Sequence, residues 1–232
     1  MIPRIIHQTW KTADIPEQYH ACQASWREHH PDWTYILWTD ADIEAFVVEH
    51  YPWLLDLFQR YPDNIQRVDA ARYMILFKYG GVYADLDVFC RRSFESLLAC
   101  DAFLPETKPL GVSNDLMGCA KASPFFGYLL ERLQPAYSRW QRRLVPRHFR
   151  VLLTTGSLFV TNGLRAAPVG ETIYILPGRL YGAGSDPRTY VTHVPGGSWH
   201  RWDSDLFVFL FSNMRTIGLV LMILLAAIFW LC

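Results

Sequence analysis

The hydrophobic pattern changes its period once, between residues 65 and 89. From Arg67 to Tyr79 the apolar residues recur at helical spacing, at Val68, Ala71, Met74, Ile75 and Leu76. Gly80 and Gly81 end this predicted helix, because glycine adopts the left-handed conformation without a Cβ penalty. From Val82 to Val88 apolar residues then alternate with others, which predicts one strand carrying Tyr83, Asp85 and Asp87 on a single face.

The rest of the chain alternates between strand-like and helix-like segments. The predicted strands are Arg4–Trp10, Trp33–Trp38, Ala102–Leu104 and Ile173–Leu176, and the predicted helices are Ile15–His30, Ala41–His50, Tyr51–Asn64 and Pro124–Tyr137. This order predicts an α/β fold in which helices cover a largely parallel sheet. In such folds ligands bind at the carboxyl ends of the strands.

The acids of the central strand indicate a metal site. Asp85 and Asp87 are predicted to point the same way, roughly 7 Å apart along the backbone. Because unpaired buried carboxylates are costly, a cation is expected beside them, and Mn²⁺ or Mg²⁺ prefers such oxygen ligands. Asp69 and Arg72 share one face of the preceding helix. The alternative is a solvated strand end with an ordinary ion pair on the helix.

The run D-A-A-R-Y-x-x-L-x-x-Y-G-G-V-Y-A-D-L-D-V at residues 69–88 resembles the signature of the DXD-sugar-binding glycosyltransferases. That family includes initiating mannosyltransferases, inositol-phosphoceramide mannosyltransferases and the glucosylating domains of clostridial toxins. The resemblance implies a GT-A fold, a nucleotide-sugar donor, and Mn²⁺ or Mg²⁺ on its diphosphate. It also implies that Asp85 and Asp87 position the ion, and that Asp69 and Arg72 hold sugar hydroxyls and phosphate.

Further donor-site residues follow from the same resemblance. The phrase I-P-R-I-I-H-Q-T-W-K resembles the family's opening strand, so donor contacts are expected at His7, Gln8 and Trp10, with Trp10 stacked on the base. Tyr83 is expected beside the donor with Asp85. The alternative is that Trp10 is a core aromatic and that His7 and Gln8 are structural.

Three later segments complete the predicted site. Asn114 and Asp115 resemble a segment beside the donor sugar, and Gly156 lies in T-T-G-S, which resembles a T-G-P element. His193, followed by Ser198 and Trp199, resembles the closing element of the family, so His193 is a predicted metal ligand or phosphate donor and Trp199 a donor contact. Alternatively, Asn114-Asp115 forms a turn and Gly156 lies at a helix N-terminus.

Composition bears on nucleic-acid binding, on disulfide bonding and on contact with anionic partners. Lysine plus arginine equals aspartate plus glutamate at 22 each, which gives no support to nucleic-acid binding. The five cysteines are scattered, which favours free thiols, although a Cys90–Cys100 bridge stays open. The basic run Arg139–Arg150 is either a solvated face or a surface for anionic head groups or an acidic acceptor.

The C-terminus is expected to be a membrane anchor. Residues 216–232 contain no charge and would span roughly 25 Å as a helix, near the lower limit for crossing a bilayer. We therefore expect a catalytic domain at 1–205, and an interfacial segment and single-pass anchor at 206–232. A buried core helix is the alternative. The expected location is the Golgi membrane in a eukaryote, or the cytoplasmic face of the inner membrane in a bacterium.

The function predicted from these observations is transfer of a hexose to a membrane-linked acceptor, with retention of configuration. Mannose moving from GDP-mannose to an inositol phosphosphingolipid is the sharpest version. The alternatives are a UDP-hexose-dependent transferase acting on a bacterial or viral glycan, and a metal-dependent phosphoester hydrolase. No oligomeric state is predicted.

Overall fold

The computed structural model describes residues 1–107, 111–140, 145–166, 170–182, 186–194 and 213. Eight strands and seven α-helices are present in this part of the chain. Their order is β1 (Ile5–Thr9), α1 (Glu17–His29), β2 (Thr34–Trp38), α2 (Asp40–His50), α3 (Pro52–Arg60), α4 (Asn64–Tyr79), β3 (Gly81–Ala84), β4 (Val88–Cys90), β5 (Ala102–Pro105), β6 (Leu116–Cys119), α5 (Pro124–Trp140), α6 (Arg147–Thr154), α7 (Ser157–Ala166), β7 (Ile173–Leu176) and β8 (Val191–His193).

The central sheet has six strands in the order β2-β1-β3-β6-β5-β7. Strand β1 is parallel to β2 and β3, and β5 is parallel to β7, but β6 runs antiparallel to both of its neighbours. The sheet is therefore mixed, with five strands running in one direction and β6 running against them. The prediction of a largely parallel sheet is confirmed for these five strands, and β6 is the exception. Its reversal follows from the short connection at residues 106–115, because a parallel crossover needs a dozen or more residues.

The predicted strand Val82–Val88 is wrong as one element. Strand β3 ends at Ala84, and a turn follows in which the Val88 N–H donates to the Asp85 carbonyl at 3.1 Å. Strand β4 then leaves the central sheet and pairs antiparallel with β8 in a separate two-stranded ribbon. Asp85 and Asp87 therefore lie at a corner between two sheets and do not share one strand face.

The side chains of β3 alternate between the two faces of the sheet. Tyr83 joins the larger core, which contains residues of α2, α3, α4, α5 and α7. Val82 and Ala84 join the opposite core, where Trp26 of α1 packs and donates its indole N–H to the Val88 carbonyl at 2.8 Å. The ribbon is thus fastened to α1, on the sheet face away from α4.

Gly118 on β6 is sterically required. It pairs with Phe103 of β5, and a Cβ at this position would lie 2.1 Å from Phe103 Cε1. We expect Gly118→Ala to lower the free energy of unfolding by about 1–3 kcal/mol through overpacking, as measured by urea denaturation. Gly178→Ala, whose Cβ meets only Glu106 at 3.4 Å or more, is the matched control. Equal stability of the two variants would contradict this account.

Two further predictions concern cysteines and the membrane. Cys22, Cys90, Cys100 and Cys119 are free thiols, so Cys90 and Cys100 are not bridged. Within the described ranges, no helix has the length and apolar character needed to span a bilayer. The predicted anchor at residues 216–232 lies outside these ranges.

Candidate active site

The candidate active site forms where β3 ends and β6 begins. Because these strands are antiparallel, with Ala84 opposite Leu116, the residue after β3 meets the residues before β6. The Asp85 N–H donates to the Asp115 carbonyl at 2.7 Å. Asp85, Asn114 and Asp115, which the sequence predicts to share a site, are therefore neighbours. Helix α4 supplies Asp69 and Arg72 from below this edge.

Arg72 is the buried centre of the cluster, with 2% of its side chain exposed. Its Nη2 lies 3.1 Å from Asp69 Oδ1 and 3.3 Å from Asp85 Oδ1, and its Nη1 donates to the Asn114 carbonyl. The guanidinium also lies 4.8 Å from the centre of the Tyr83 ring. Burial opposes its charge, but Asp85, Tyr83 and Asp69 raise the pKa of Arg72 well above its usual value. Arg72 is therefore the counter-charge of two carboxylates.

Asp69 is held on three sides. Besides Arg72, it accepts hydrogen bonds from Asn114 Nδ2 at 3.0 Å and from Thr155 Oγ1 at 2.9 Å. Thr155 follows α6 and is in turn bonded through its carbonyl to the Tyr73 hydroxyl. Burial raises the pKa of Asp69, while Arg72, Thr155 and Asn114 oppose that shift. These contacts fix the orientation of the Asp69 carboxylate.

Asp85 is anchored at its backbone and at one carboxylate oxygen. Tyr83 donates its hydroxyl to Asp85 Oδ1 at 2.7 Å, and Thr9 Oγ1 lies 2.9 Å from the same hydroxyl. The Gln8 side chain donates to the Asp85 carbonyl at 3.2 Å. Burial is the largest cause that raises the pKa of Asp85 to about 7, with Asp87 and Asp115 adding to it and Arg72 opposing it. Burial and the neighbouring acids therefore disfavour the ionised form of Asp85.

A second arm of the site joins Asp115 to His193. Asp115 Oδ2 lies 3.0 Å from His193 Nε2 and accepts the Tyr181 hydroxyl, which itself lies 3.0 Å from His193 Nε2. Although burial acts in the opposite direction for both groups, their interaction lowers the pKa of Asp115 and raises that of His193. Asp115 Oδ1 is buried and has no hydrogen-bond partner among the described residues.

Tyr181 was not predicted from the sequence. It lies in a loop after β7, where its neighbours Leu180 and Gly182 give no periodic signal. Thr155, next to the predicted Gly156, is a second residue whose contact with Asp69 the sequence does not reveal. Tertiary packing brings Tyr181 and Thr155 into the site.

The charges of the site fit a divalent cation. Its four carboxylates belong to Asp69, Asp85, Asp87 and Asp115, while the positive groups that face them are Arg72 and His193. Burial raises the pKa of Asp87 as well, and His193 opposes that shift. Among the described residues four carboxylates thus face two positive groups, and Asp115 Oδ1 has no hydrogen-bond partner, so negative charge is undercompensated. Hard oxygen ligands of this kind suit Mn²⁺ or Mg²⁺.

In the described part of the chain the predicted metal ligands Asp85, Asp87 and His193 do not form a three-residue group. Across the described ranges, no three His, Cys, Asp or Glu side chains are arranged to hold an ion. His193 Nε2 is engaged with Asp115 and Tyr181. The role of His193 as a metal ligand beside Asp85 and Asp87 therefore stays a prediction.

Of four further predicted donor contacts, His7 lies in the core and Trp199 lies outside the described residues. The other two lie beside the cluster: Trp10 packs in the apolar group that includes Leu86, between Asp85 and Asp87, and Gly156 follows Thr155. His7 is fully buried, with Nε2 3.0 Å from the Gly80 carbonyl and Nδ1 accepting the Trp38 indole N–H at 3.2 Å. Trp10 is half-buried and packs edge-on against Tyr19. Gly156 lies where a Cβ would approach Leu152 Cα to 3.0 Å, so helix packing explains it.

His7 makes stability depend on pH. Burial lowers the pKa of His7 to about 4 from an ordinary 6.5, because the folded state holds the neutral ring. Its contribution is complete above pH 6.5 and is lost as the pH falls toward 4. We expect the free energy of unfolding to fall by about 3 kcal/mol over that window through this residue. His7→Gln should flatten the decline in urea titrations, and an unchanged slope would contradict the assignment.

Comparison with known proteins agrees with this arrangement. Residues 16–104 match the family described as a glycosyltransferase sugar-binding region containing a DXD motif. The structure titled PaToxG glycosyltransferase superposes with a TM-score of 0.54 at 17% identity, covering 71% of this chain and 69% of that one, which supports the fold alone. The fold is therefore of the GT-A type, with helices flanking a mixed sheet.

Two curated fungal proteins are similar in sequence. Inositol phosphoceramide mannosyltransferase 1 of Schizosaccharomyces pombe is 38% identical over 237 residues, which cover 100% of this chain and 72% of the relative. Mannosyl phosphorylinositol ceramide synthase SUR1 of Saccharomyces cerevisiae is 42% identical over 211 residues, covering 89% of this chain and 54% of the relative. With 38% identity over nearly three quarters of the first relative, the chain belongs to the DXD-containing sugar-binding glycosyltransferase family.

Proposed function

We propose that this glycosyltransferase moves mannose from GDP-mannose to an inositol phosphosphingolipid, with retention of configuration and with Mn²⁺ or Mg²⁺ as cofactor. The observation that carries the proposal is the undercompensated group of carboxylates around the buried Arg72, at the edge where β3 meets β6. The printed names of the two fungal relatives support mannose as the sugar and an inositol phosphoceramide as the acceptor.

Each residue of the site has its own proposed role. Asp85 and Asp87 would hold the cation, which neutralises charge that develops on the leaving diphosphate. Arg72 keeps Asp85 and Asp69 oriented from within the core, since only 2% of its side chain is exposed. His193, made more basic by Asp115, supplies positive charge beside the diphosphate. Asp69 is almost fully buried and held by Arg72, Asn114 and Thr155, so its predicted contact with the sugar hydroxyls stays a prediction.

The location proposed for the protein is a membrane surface. The apolar residues 216–232 would anchor residues 1–205 at the membrane that contains the lipid acceptor. In a eukaryotic cell we propose the Golgi membrane.

Donor turnover by the purified full-length chain in detergent tests this proposal. A panel of GDP- and UDP-sugars is supplied with Mn²⁺ and inositol phosphoceramide, and nucleoside diphosphate release is measured. We expect release of GDP from GDP-mannose only, loss of release on chelation, and an axial anomeric bond in the product by NMR. Selective turnover of a UDP-hexose would overturn the donor assignment, and turnover of no donor would overturn the whole proposal.

A further inference from the structure

The second polar cluster of the protein lies at the start of α4 and α6. Arg147 Nε binds Asp63 Oδ1 at 2.7 Å, and Arg150 Nη2 lies 3.6 Å from Asp63 Oδ2. Arg67, one turn further along α4, donates to the Tyr61 carbonyl at 3.2 Å. These four residues, Asp63, Arg67, Arg147 and Arg150, are named the arginine cluster. It has three guanidinium groups and one carboxylate, so it carries an excess of positive charge.

Two of the three arginines in the arginine cluster each have one unsatisfied guanidinium nitrogen. The Nε atoms of Arg67 and Arg150 are buried without a hydrogen-bond partner in the described part of the chain. The same holds for Gln66 Oε1 and the Tyr61 hydroxyl, whose residues are 0% and 1% exposed. Such unpaired buried groups are rare in folded proteins and call for an explanation.

The cluster is aligned with the candidate active site. Helices α4 and α6 run in the same direction, because contacts between them advance together along both helices. Asp63 meets Arg147, Gln66 Nε2 donates to Thr154 Oγ1 at 2.7 Å, and Asp69 accepts from Thr155 at 2.9 Å. Six residues separate Asp63 from Asp69, which corresponds to about 9 Å along a helix. Gln66, Thr154 and Thr155 are fully buried between the two ends, so an acceptor that reaches both ends would lie over the seam between α4 and α6.

The two ends of the seam between α4 and α6 carry opposite charge. The Asp69 end lies among undercompensated carboxylates, and the Arg150 end lies among guanidinium groups that are still about one fifth exposed, at 23% for Arg147 and 22% for Arg150. A molecule with hydroxyl groups at one end and an anionic phosphate at the other matches this polarity. Arginine is the side chain best suited to phosphate, because its planar fork donates two hydrogen bonds at once.

From this geometry we propose that Arg147 and Arg150 bind the phosphodiester of the acceptor, and that Asp63 occupies them until the acceptor arrives. This inference rests on the proposed function, since it assigns the acceptor group of the same reaction. It also gives a function to part of the basic run Arg139–Arg150. The phosphodiester replaces the Asp63 carboxylate as the partner of the two guanidinium groups.

The proposal predicts that removing a positive charge and removing the negative charge of the arginine cluster change the acceptor KM in opposite directions. Arg150→Gln should raise the acceptor KM about tenfold, as expected for loss of a charged hydrogen bond, with a smaller rise in Arg150→Lys. Asp63→Asn should lower the acceptor KM, because it removes the competing carboxylate. If the cluster were only structural, both variants would weaken the protein in the same direction. Arg165→Gln, an exposed arginine on α7, is the matched control.

The experiment measures acceptor KM with detergent-solubilised inositol phosphoceramide, and direct binding by calorimetry without donor or metal. The soluble probes are glycerophosphoinositol, a phosphodiester, and neutral myo-inositol. We expect glycerophosphoinositol to bind the wild type more tightly than myo-inositol does, and Arg150→Gln to abolish that preference. Equal binding of both probes, or a raised acceptor KM in Asp63→Asn, would overturn the proposal. Phosphodiester binding without turnover of any mannose donor would instead refute the proposed function and leave this site standing.

Discussion

On the proposed function, Asp87→Asn is expected to lower mannose transfer about 10³-fold, because the variant removes one of the two carboxylates proposed to hold the cation. A metal ion contributes several kcal/mol of charge stabilisation, and about 4 kcal/mol corresponds to a factor of 10³ in rate. The asparagine keeps the shape of the side chain at the corner between β3 and β4. The measurement is the turnover number at saturating donor and acceptor, beside the control Asp32→Asn, an exposed acid remote from the site in the sequence.

Stability distinguishes this loss from unfolding. Burial raises the pKa of Asp87, so its ionised form is disfavoured in the folded protein when no cation is bound. Asp87→Asn should therefore keep or raise the melting temperature without metal. The wild type should gain stability with added Mn²⁺, whereas the variant should gain little. A variant that turns over at the wild-type rate, or one that responds equally to Mn²⁺, would contradict the assignment of Asp87.

Arg72→Met is expected to lower the free energy of unfolding by about 3–5 kcal/mol, because it leaves the buried Asp69 carboxylate and the partly exposed Asp85 carboxylate without their counter-charge. Asp69 and Asp85 both bind the Arg72 guanidinium, and Asp69 is almost fully buried. The deficit should be smaller at pH 5 than at pH 8. At the lower pH these carboxylates, whose pKa values are already raised, take up protons more readily and need Arg72 less.

Two comparisons make this prediction specific. Arg60→Met removes an exposed ion pair with Asp56 and should cost less than about 1 kcal/mol. The double variant Arg72→Met with Asp69→Asn should recover part of the loss, since one uncompensated charge is gone. Urea denaturation at both pH values measures each effect. A loss in Arg72→Met no larger than in Arg60→Met would show that the buried network contributes little to stability.

Local patterns explain which parts of the fold could be predicted. The helix, the two glycines and the start of β3 follow from a change of period that lies within one stretch of chain. The end of β3 could not be predicted in the same way. Its residues alternate through Val88, but the partner of β4 is β8, about 100 residues later, and only tertiary pairing shows that the chain changes sheets at Asp85.

The residues of the candidate site differ in how well the sequence predicts them. Asp85, Asp87, Asp69 and Arg72 follow from spacing and polarity, whereas Asn114 and Asp115 required likeness to a family. Tyr181 has no such signal, because its role depends on the distance between its hydroxyl and Asp115. His7 is the opposite case. This polar residue lies on β1, next to the predicted site residue Gln8, but it is fully buried and its ring contacts the Gly80 carbonyl in the core.

The corner between β3 and β4 attaches the two acids of the DXD motif to different sheets. Asp85 is attached to the six-stranded sheet through Asp115, while Asp87 belongs to the ribbon, where its carbonyl accepts the Val194 N–H. His193 lies on the same ribbon, opposite Val88. Two contacts hold the ribbon in place: the Trp26 indole N–H of α1 donates to the Val88 carbonyl, and His193 Nε2 lies 3.0 Å from Asp115 Oδ2. The separation of the two carboxylates is therefore set by how the ribbon rests on α1 and by the His193–Asp115 contact.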